Sequence, residues 1–249
     1  MPDCFIEFRD VSKSFGAVHV LRDVSFDVGR GETVCILGRS GVGKSVTLNL
    51  IMGFLEPDSG HILVDGDDVT GMSERRRTAM HKKITLVFQS GALFDSLTVG
   101  ENIAFPLRER GEESDAEIEI VVDGLLDLLD LRNERDAYPA SLSTGTKRAV
   151  AIARALAAKP KAILYDEPTT MVDPIMVNSI AALIERVKQQ VKLTSVIVTH
   201  DTRLARRLAD RLVLLHEGRV QFFGTVAEMD ASHDPILQDF IRQDAMITP

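Results

Sequence analysis

An apolar run, Thr33–Leu37, leads directly into GRSGVGKS, Gly38–Ser45, and then into the helix-compatible stretch Val46–Met52. No other segment restricts the fold as tightly. The octapeptide matches G-x-x-x-x-G-K-[ST], in which a strand, a glycine-rich bend and a helix N-terminus converge backbone N–H groups on phosphate oxygens. Glycines permit positive φ and a close approach of backbone to anion. Lys44 then supplies a point charge to the β- and γ-phosphates, and Ser45 offers its hydroxyl to Mg²⁺. Gly38, Arg39, Ser40, Gly41, Val42, Gly43, Lys44, Ser45 and Val46 are therefore the expected cradle for ATP. Average composition produces such a match by chance in about one chain of this length in a hundred, and the flanking strand and helix lower that further.

Four more apolar runs, Ile84–Phe88, Ala162–Tyr165, Ser195–Thr199 and Leu212–Leu215, have the character of strands buried on both faces, which implies an α/β fold with a mostly parallel sheet. Phe5–Phe8 and Val24–Val28 alternate apolar with polar residues and read as antiparallel strands with one wet face. Between Phe88 and Ala162 the period becomes helical, in Asp115–Leu131 and Thr146–Ala158, and Glu109–Asp115 reads as an exposed loop. The expected organisation is one unit, 1–249. Residues 1–89 and 160–225 form the β subdomain and nucleotide-binding α/β core, 90–159 an inserted α-helical subdomain, and 226–249 a C-terminal extension.

AILYDEP, Ala162–Pro168, ends an apolar strand in adjacent carboxylates. Asp166 at the strand tip suits Mg²⁺, and Glu167 suits the water that attacks the γ-phosphate. His200 follows the strand Ser195–Thr199; taken alone it reads first as a capping or core histidine, but the strand order puts it at the same sheet edge as Ser45 and Glu167, where an imidazole can hydrogen-bond the γ-phosphate. Gln89, at the end of Ile84–Phe88, can touch Mg²⁺ or the lytic water. The expected catalytic set is Glu167, His200, Gln89 and Lys44, and the expected metal set is Ser45, Gln89 and Asp166.

Acidic residues outnumber basic ones, 37 Asp and Glu against 29 Lys and Arg, so the formal net charge of -8 argues against nucleic acid as a partner. Cys4 and Cys35 have no metal-like spacing, and Cys35 reads as a small buried side chain in a reduced setting. MPDCFIEFRD carries no secretory signal. A spanning helix needs roughly 20 apolar residues, and the best helical run, Ala149–Ala158, is shorter and contains Arg154. A membrane role is therefore expected to run through a partner.

Together these residues resemble the ATP-binding subunits of ABC transporters over nearly the whole chain. The resemblance implies a RecA-like P-loop NTPase core. It implies that Phe15 stacks on adenine, that Gln89 belongs to the Q-loop, Asp173 to the D-loop, and that His200 is the switch histidine. LSTGTKRAVAIARAL, Leu142–Leu156, corresponds to the family signature, which implies that each nucleotide is sandwiched between two copies. Ser143 and the Gly145 N–H would then face the γ-phosphate held by the other copy of a homodimer; Ser143 is equally a plain helix N-cap. Two departures stand out. Thr144 and Thr146 replace the glycine and glutamine of LSGGQ, and Met171-Val172 stand where Gly-Leu or Ala-Leu is common. Loss of one transition-state donor typically costs roughly 100-fold to 1,000-fold in rate, so ATP binding is expected to persist with slowed hydrolysis.

FQSGALFDSLTVGENIAFPLRE, Phe88–Glu109, is similar to the Q-loop region of Mla-type (MCE-linked) phospholipid transport ATPases. That similarity implies a peripheral protein on the cytoplasmic face of the inner (plasma) membrane, docked on an integral-membrane permease and associated with an MCE-domain lipid-binding protein. Gly91–Ser96 would form part of the docking surface, with Leu93 and Phe94 either its apolar anchors or packed within the helical subdomain. The tail Asp234–Gln243 resembles an extension that packs on the partner subunit, and its spacing of Ile236, Leu237, Phe240 and Ile241 suits intramolecular packing equally well. A soluble, non-transport ABC ATPase and a weakly hydrolysing regulatory subunit are the rival readings.

Overall fold

The computed structural model describes residues 4–172 and 174–247. The apolar run ahead of the glycine bend is strand β3 (Thr33–Leu37), and its side chains alternate between two cores. Cys35 and Leu37 join one cluster, while Val34 and Ile36 join the other. A period-two strand apolar on both faces can only sit between two layers. Strands β7 (Ala162–Asp166), β8 (Thr194–Thr199) and β9 (Arg211–His216) divide in the same way. With β6 (Ile84–Val87) and β10 (Arg219–Thr225) they make a six-stranded sheet in the order β10-β9-β3-β8-β7-β6. Every neighbouring pair is parallel except the β9–β10 edge hairpin.

One face carries a second, four-stranded antiparallel sheet, ordered β2-β1-β4-β5, from β1 (Cys4–Phe15), β2 (Val18–Gly29), β4 (Ser59–Val64) and β5 (Asp67–Asp68). The alternation at Phe5–Phe8 and Val24–Val28 marks only the first part of one twelve-residue strand and the last part of the other. Their polar continuations, at Ser12, Lys13 and Asp23, carry no hydrophobic signal. Helix α1 (Lys44–Ile51) lies in the cluster between the sheets, beginning two residues earlier than Val46; α2 (Glu74–His81) runs from the antiparallel sheet into β6.

The other face holds helices α3 (Val99–Arg110), α4 (Asp115–Leu128), α5 (Thr144–Ala157), α6 (Pro174–Val191) and α7 (Thr202–Leu208). Helix α3 has no counterpart in the sequence reading. Pro106 and charged positions interrupt its pattern, and its start is secured instead by a reciprocal capping box between Thr98 and Glu101. The expected loop Glu109–Asp115 shortens to Gly111–Ser114, with Gly111 at φ 63 closing α3 and Ser114 capping α4. Helix α4 stops three residues short of Leu131, and α5 begins two residues before Thr146. Phe88 lies beyond β6 and is exposed.

Helices α8 (Val226–Ala231) and α9 (Pro235–Ile247) are the last elements among the described residues. Leu237 and Phe240 of α9 are buried in this chain's own core, so the intramolecular alternative for the tail is the one this geometry follows.

Candidate nucleotide-binding site

Parallel strands aim their C-terminal ends at one edge of the sheet, where α/β folds place their ligands. At that edge β3 delivers the glycine bend, β7 delivers Asp166 and Glu167, and β8 delivers His200. The bend turns on Gly38, Gly41 and Gly43, all at positive φ. A Cβ on Gly43, at φ 112, would lie 2.8 Å from Leu21 Cδ2, so both conformation and space exclude a side chain there.

Lys44, 6% exposed, donates from Nζ to the carbonyls of Gly38 (2.7 Å) and Arg39 (3.1 Å) and pairs with Glu167 Oε1 at 3.1 Å. A buried ammonium held by the loop it serves is set to meet an anion lying in that loop. Ser45 Oγ donates to Asp166 Oδ1 at 3.0 Å, across 121 residues of sequence. Glu167 Oε2 accepts from Thr170 Oγ1 at 3.0 Å and lies 3.0 Å from His200 Nδ1. His200 is thus neither a core residue nor a helix cap; Asp201 caps α7 through the N–H groups of Arg203 and Leu204.

The adjacent carboxyls are pushed in opposite directions. Burial raises the Asp166 carboxyl, and the Ser45 hydrogen bond offsets only part of that rise. Burial also works to raise Glu167, but the His200 hydrogen bond and the Lys44 ammonium outweigh it and hold the carboxyl below its usual range. Paired groups whose environments separate them in this way suit divided roles.

Lys44, Ser45, Glu167 and His200 border a cavity of about 650 Å³, which Asp166 does not line but adjoins through its hydrogen bond with Ser45. Its walls include Phe15 at the end of β1, the loop from Arg39 to Val46 apart from Val42, Gln89 beyond β6, and Glu167 and His200. Phe15 is 46% exposed, with Lys13 Nζ 5.5 Å from its ring centroid. Val42 faces a neighbouring cavity beside Leu214 and Leu215. Gly38 lies beneath the bend, lending its carbonyl to Lys44.

Ser143 and Gly145 do not reach this cavity. They line another, of about 390 Å³, between α5 and α6. Ser143 caps α5, accepting from the Thr146 N–H at 3.1 Å, and its hydroxyl also lies 2.8 Å from Thr146 Oγ1. Asp173, the expected D-loop aspartate, lies outside the described residues. Met171 beside it is 88% exposed at φ 62, a backbone region that favours glycine.

Two contributors escaped the sequence reading. Helix α9 brings Phe240 and Gln243 to the cavity, where Arg39 donates to Gln243 Oε1 at 2.6 Å and Asp239 Oδ2 at 3.2 Å. Its apolar spacing was visible, but its destination was not. Arg148, within the signature stretch, donates to carbonyls around Glu167. No sequence signal separates it from a solvated helix arginine.

A sequence model of the family described as ABC transporter matches residues 21–170. The methionine import ATP-binding protein MetN of Rhizobium johnstonii is 39% identical over 221 residues, covering 89% of this chain and 61% of that protein. The protein TRIGALACTOSYLDIACYLGLYCEROL 3, chloroplastic, of Arabidopsis thaliana is 39% identical over 255 residues, covering 96% and 73%. The chain thus spans about three fifths of the length of the methionine-import relative. Among solved structures, a dimeric ATP-binding cassette in a post-hydrolysis state with ADP and Pi superposes with a TM-score of 0.79 at 32% identity, over 89% of this chain and 98% of that one. Glycine bend, paired carboxylates and matching relatives converge: this chain belongs to the ABC transporter family and carries that family's ATP-binding domain.

Proposed function

We propose that this protein binds and hydrolyses MgATP as a pair of identical subunits and thereby powers a transporter of phospholipids or related lipids. The observation that carries the ATPase reading is the Lys44–Glu167–His200 constellation, joined by contacts of 3.1 and 3.0 Å at the mouth of the glycine bend. Backbone N–H groups and Lys44 bind the phosphates, and Phe15 offers a face for the base. Glu167 orients the attacking water, with His200 beside it; Gln89 stands at the same cavity.

Mg²⁺ fits the donor set. Among the described residues no group of three or more His, Cys, Asp or Glu side chains is placed to hold a metal by itself. The Ser45 hydroxyl and Asp166 carboxylate, with Gln89 nearby, suit an ion that keeps waters and takes its other ligands from substrate phosphates. When bound it would neutralise charge developing on the phosphates.

The two-copy reading draws on the remoteness of Ser143 and Gly145 from their own chain's cavity and on the dimeric ADP-bound relative. The membrane reading draws on the segment after Gln89. No helix among the described residues is long and apolar enough to cross a membrane, so passage would belong to a partner permease. Phe88 and Phe94, both exposed, border an apolar groove of about 290 Å³ with Phe105, Ala151 and Ala155, suited to an amphipathic segment of that permease. Leu93, expected beside Phe94 as an anchor, packs on the chain's own core. The lipid reading rests on the Phe88–Glu109 resemblance and on the Arabidopsis relative, whose name is that of a lipid; the methionine-import relative names a different cargo. An MCE-domain partner and a peripheral place on the inner membrane's cytoplasmic face follow from the same resemblance.

One observation favours a slower, regulatory subunit instead. The Ser143 hydroxyl lies 2.8 Å from that of Thr146, a residue that replaces the family's glutamine, and wherever Ser143 is the donor of that pair the contact competes with a partner's phosphate. Affinity purification from membranes, followed by ATPase assays with lipid vesicles or methionine, tests all three readings. Recovery of an integral-membrane permease and stimulation by lipid is the expected result. Stimulation by methionine would replace the cargo, recovery of ribosomes or DNA would overturn the transport reading, and turnover unaffected by any permease would favour the regulatory one.

A further inference from the structure

Arg148 is 5% exposed, yet among the described residues it forms no ion pair. Nη1 donates to the carbonyl oxygens of Glu167 (3.2 Å) and Pro168 (2.6 Å), and Nη2 donates to that of Thr170 (2.7 Å). Its Nε is buried without a hydrogen-bond partner. Burying a guanidinium against carbonyl dipoles alone costs free energy that a leucine at this position would not. All three carbonyls belong to one loop, the one that carries Glu167.

That loop is strained. Glu167 has φ 46, a left-handed conformation unfavourable for a side chain of its size, and Met171 follows at φ 62. Such a backbone persists only where surrounding contacts over-determine it. Here the Glu167 N–H donates to Val198 O at 3.0 Å, and its carbonyl accepts from both Thr170 N and Arg148. The planar fork of Arg148 spans the loop from Glu167 to Thr170; a lysine, with a single point of donation, cannot hold both ends in that geometry.

The other end of the device is the signature. Arg148 sits on α5 five residues after the cap Ser143, a rise of about 7 Å along one helix. The Gly145 turn between them lies against the Met176 side chain of α6, whose Sδ stands 1.9 Å from where a Cβ would be, and α5 runs unbroken from Thr144 through Arg148. A displacement of the α5 N-terminus therefore reaches the Arg148 fork through a rigid element rather than a flexible one.

We propose that Arg148 is a positioning residue for Glu167, and that through it engagement of Ser143 by the nucleotide on a second copy adjusts the carboxylate that serves this copy's own nucleotide. The inference rests on the two-copy reading above. It assigns Arg148 no contact with ATP: it sets where the Glu167 carboxylate stands and leaves nucleotide affinity alone.

The test compares Arg148→Met and Arg148→Lys with wild type for thermal stability, affinity for a non-hydrolysable MgATP analogue, analogue-induced dimerisation, kcat and KM. Misplacing a reacting group by about 1 Å can cost on the order of 100-fold in rate. Arg148→Lys is therefore expected to lose about 10-fold to 100-fold in kcat, and Arg148→Met more, while affinity, KM and dimerisation stay within about threefold. Combined with Ser143→Ala, the Arg148→Lys loss should fall short of the product of the single losses, because both act along one connection. Wild-type kcat in either variant, or a parallel fall in stability and affinity that accounts for the loss of rate, overturns the proposal in favour of a plain structural bolt. Losses that multiply overturn the link to the signature. Failure of the wild-type protein to dimerise with analogue instead removes the two-copy reading itself. Should Arg148→Met not fold, the lysine variant carries the same comparisons.

Discussion

Replacing Glu167 by Gln should tighten nucleotide binding while stopping hydrolysis. Glu167 and Lys44 face each other at 3.1 Å with side-chain exposures of 14% and 6%, so a triphosphate that recruits Lys44 competes with this carboxylate. At an effective dielectric constant near 20, unit charges about 4 Å apart attract by about 4 kcal/mol. Desolvation of both partners cancels much of that. Lys44 also keeps the Gly38 and Arg39 carbonyls, and Glu167 keeps Thr170 and His200. A residual coupling of about 1–2 kcal/mol is typical of residues sharing one charge network, which corresponds to about 5-fold to 30-fold in affinity. The amide retains the shape of the carboxylate but cannot hold an ion pair, and it is a poor acceptor for the proton of an attacking water. Titration calorimetry with MgADP and with a non-hydrolysable MgATP analogue, at protein concentrations below those that drive dimerisation, reads the effect directly. Unchanged or weakened affinity would refute the competition, and near-normal turnover would remove Glu167 from its catalytic role.

Phe15→Ala should weaken MgATP binding by about 1–2 kcal/mol, the scale of one base–aromatic stack, with little change in melting temperature because the ring is half exposed; equal affinities would put the base elsewhere. Gly145→Ala drives a Cβ against Met176 Sδ and should cost about 1–3 kcal/mol in urea unfolding, an effect that Met176→Ala relieves. Asp65 accepts from Arg30, Lys83 and Lys161. Although burial works to raise its carboxyl, these cations hold it well below the usual carboxylate range. A depressed folded-state value means that stability is fully present above the unfolded value near 3.9 and is lost as pH falls below it. Asp65→Asn should therefore lower stability by about 2 kcal/mol at pH 7 and flatten the decline below about pH 4; an unchanged acid limb in chemical denaturation would exclude Asp65 as its source.

Local patterns were legible in the chain itself. The glycine bend declared its chemistry because eight consecutive residues carry it, and β3, β7 and β8 were visible because burial on both faces leaves a continuous apolar run. Helix α3 was hidden because Pro106 and its charged positions break the period, while its capping box acts through Thr98 and Glu101 side chains. The polar halves of β1 and β2 were hidden because backbone pairing, rather than apolar side chains, sustains them.

Partnership was decided by the tertiary structure. The strand order β3-β8-β7 brings Ser45 to Asp166 and His200 to Glu167 across 121 and 33 residues, and no local period encodes which strand lies beside which. The same long-range packing seats α9 against its own core and turns Arg148 inward to the Glu167 loop. The sequence by itself determined which groups the protein possesses, since motif and period are properties of neighbouring residues. Only the fold decided which groups meet, because side chains far apart in the chain are brought together when the sheet and helices bury their apolar faces against one another.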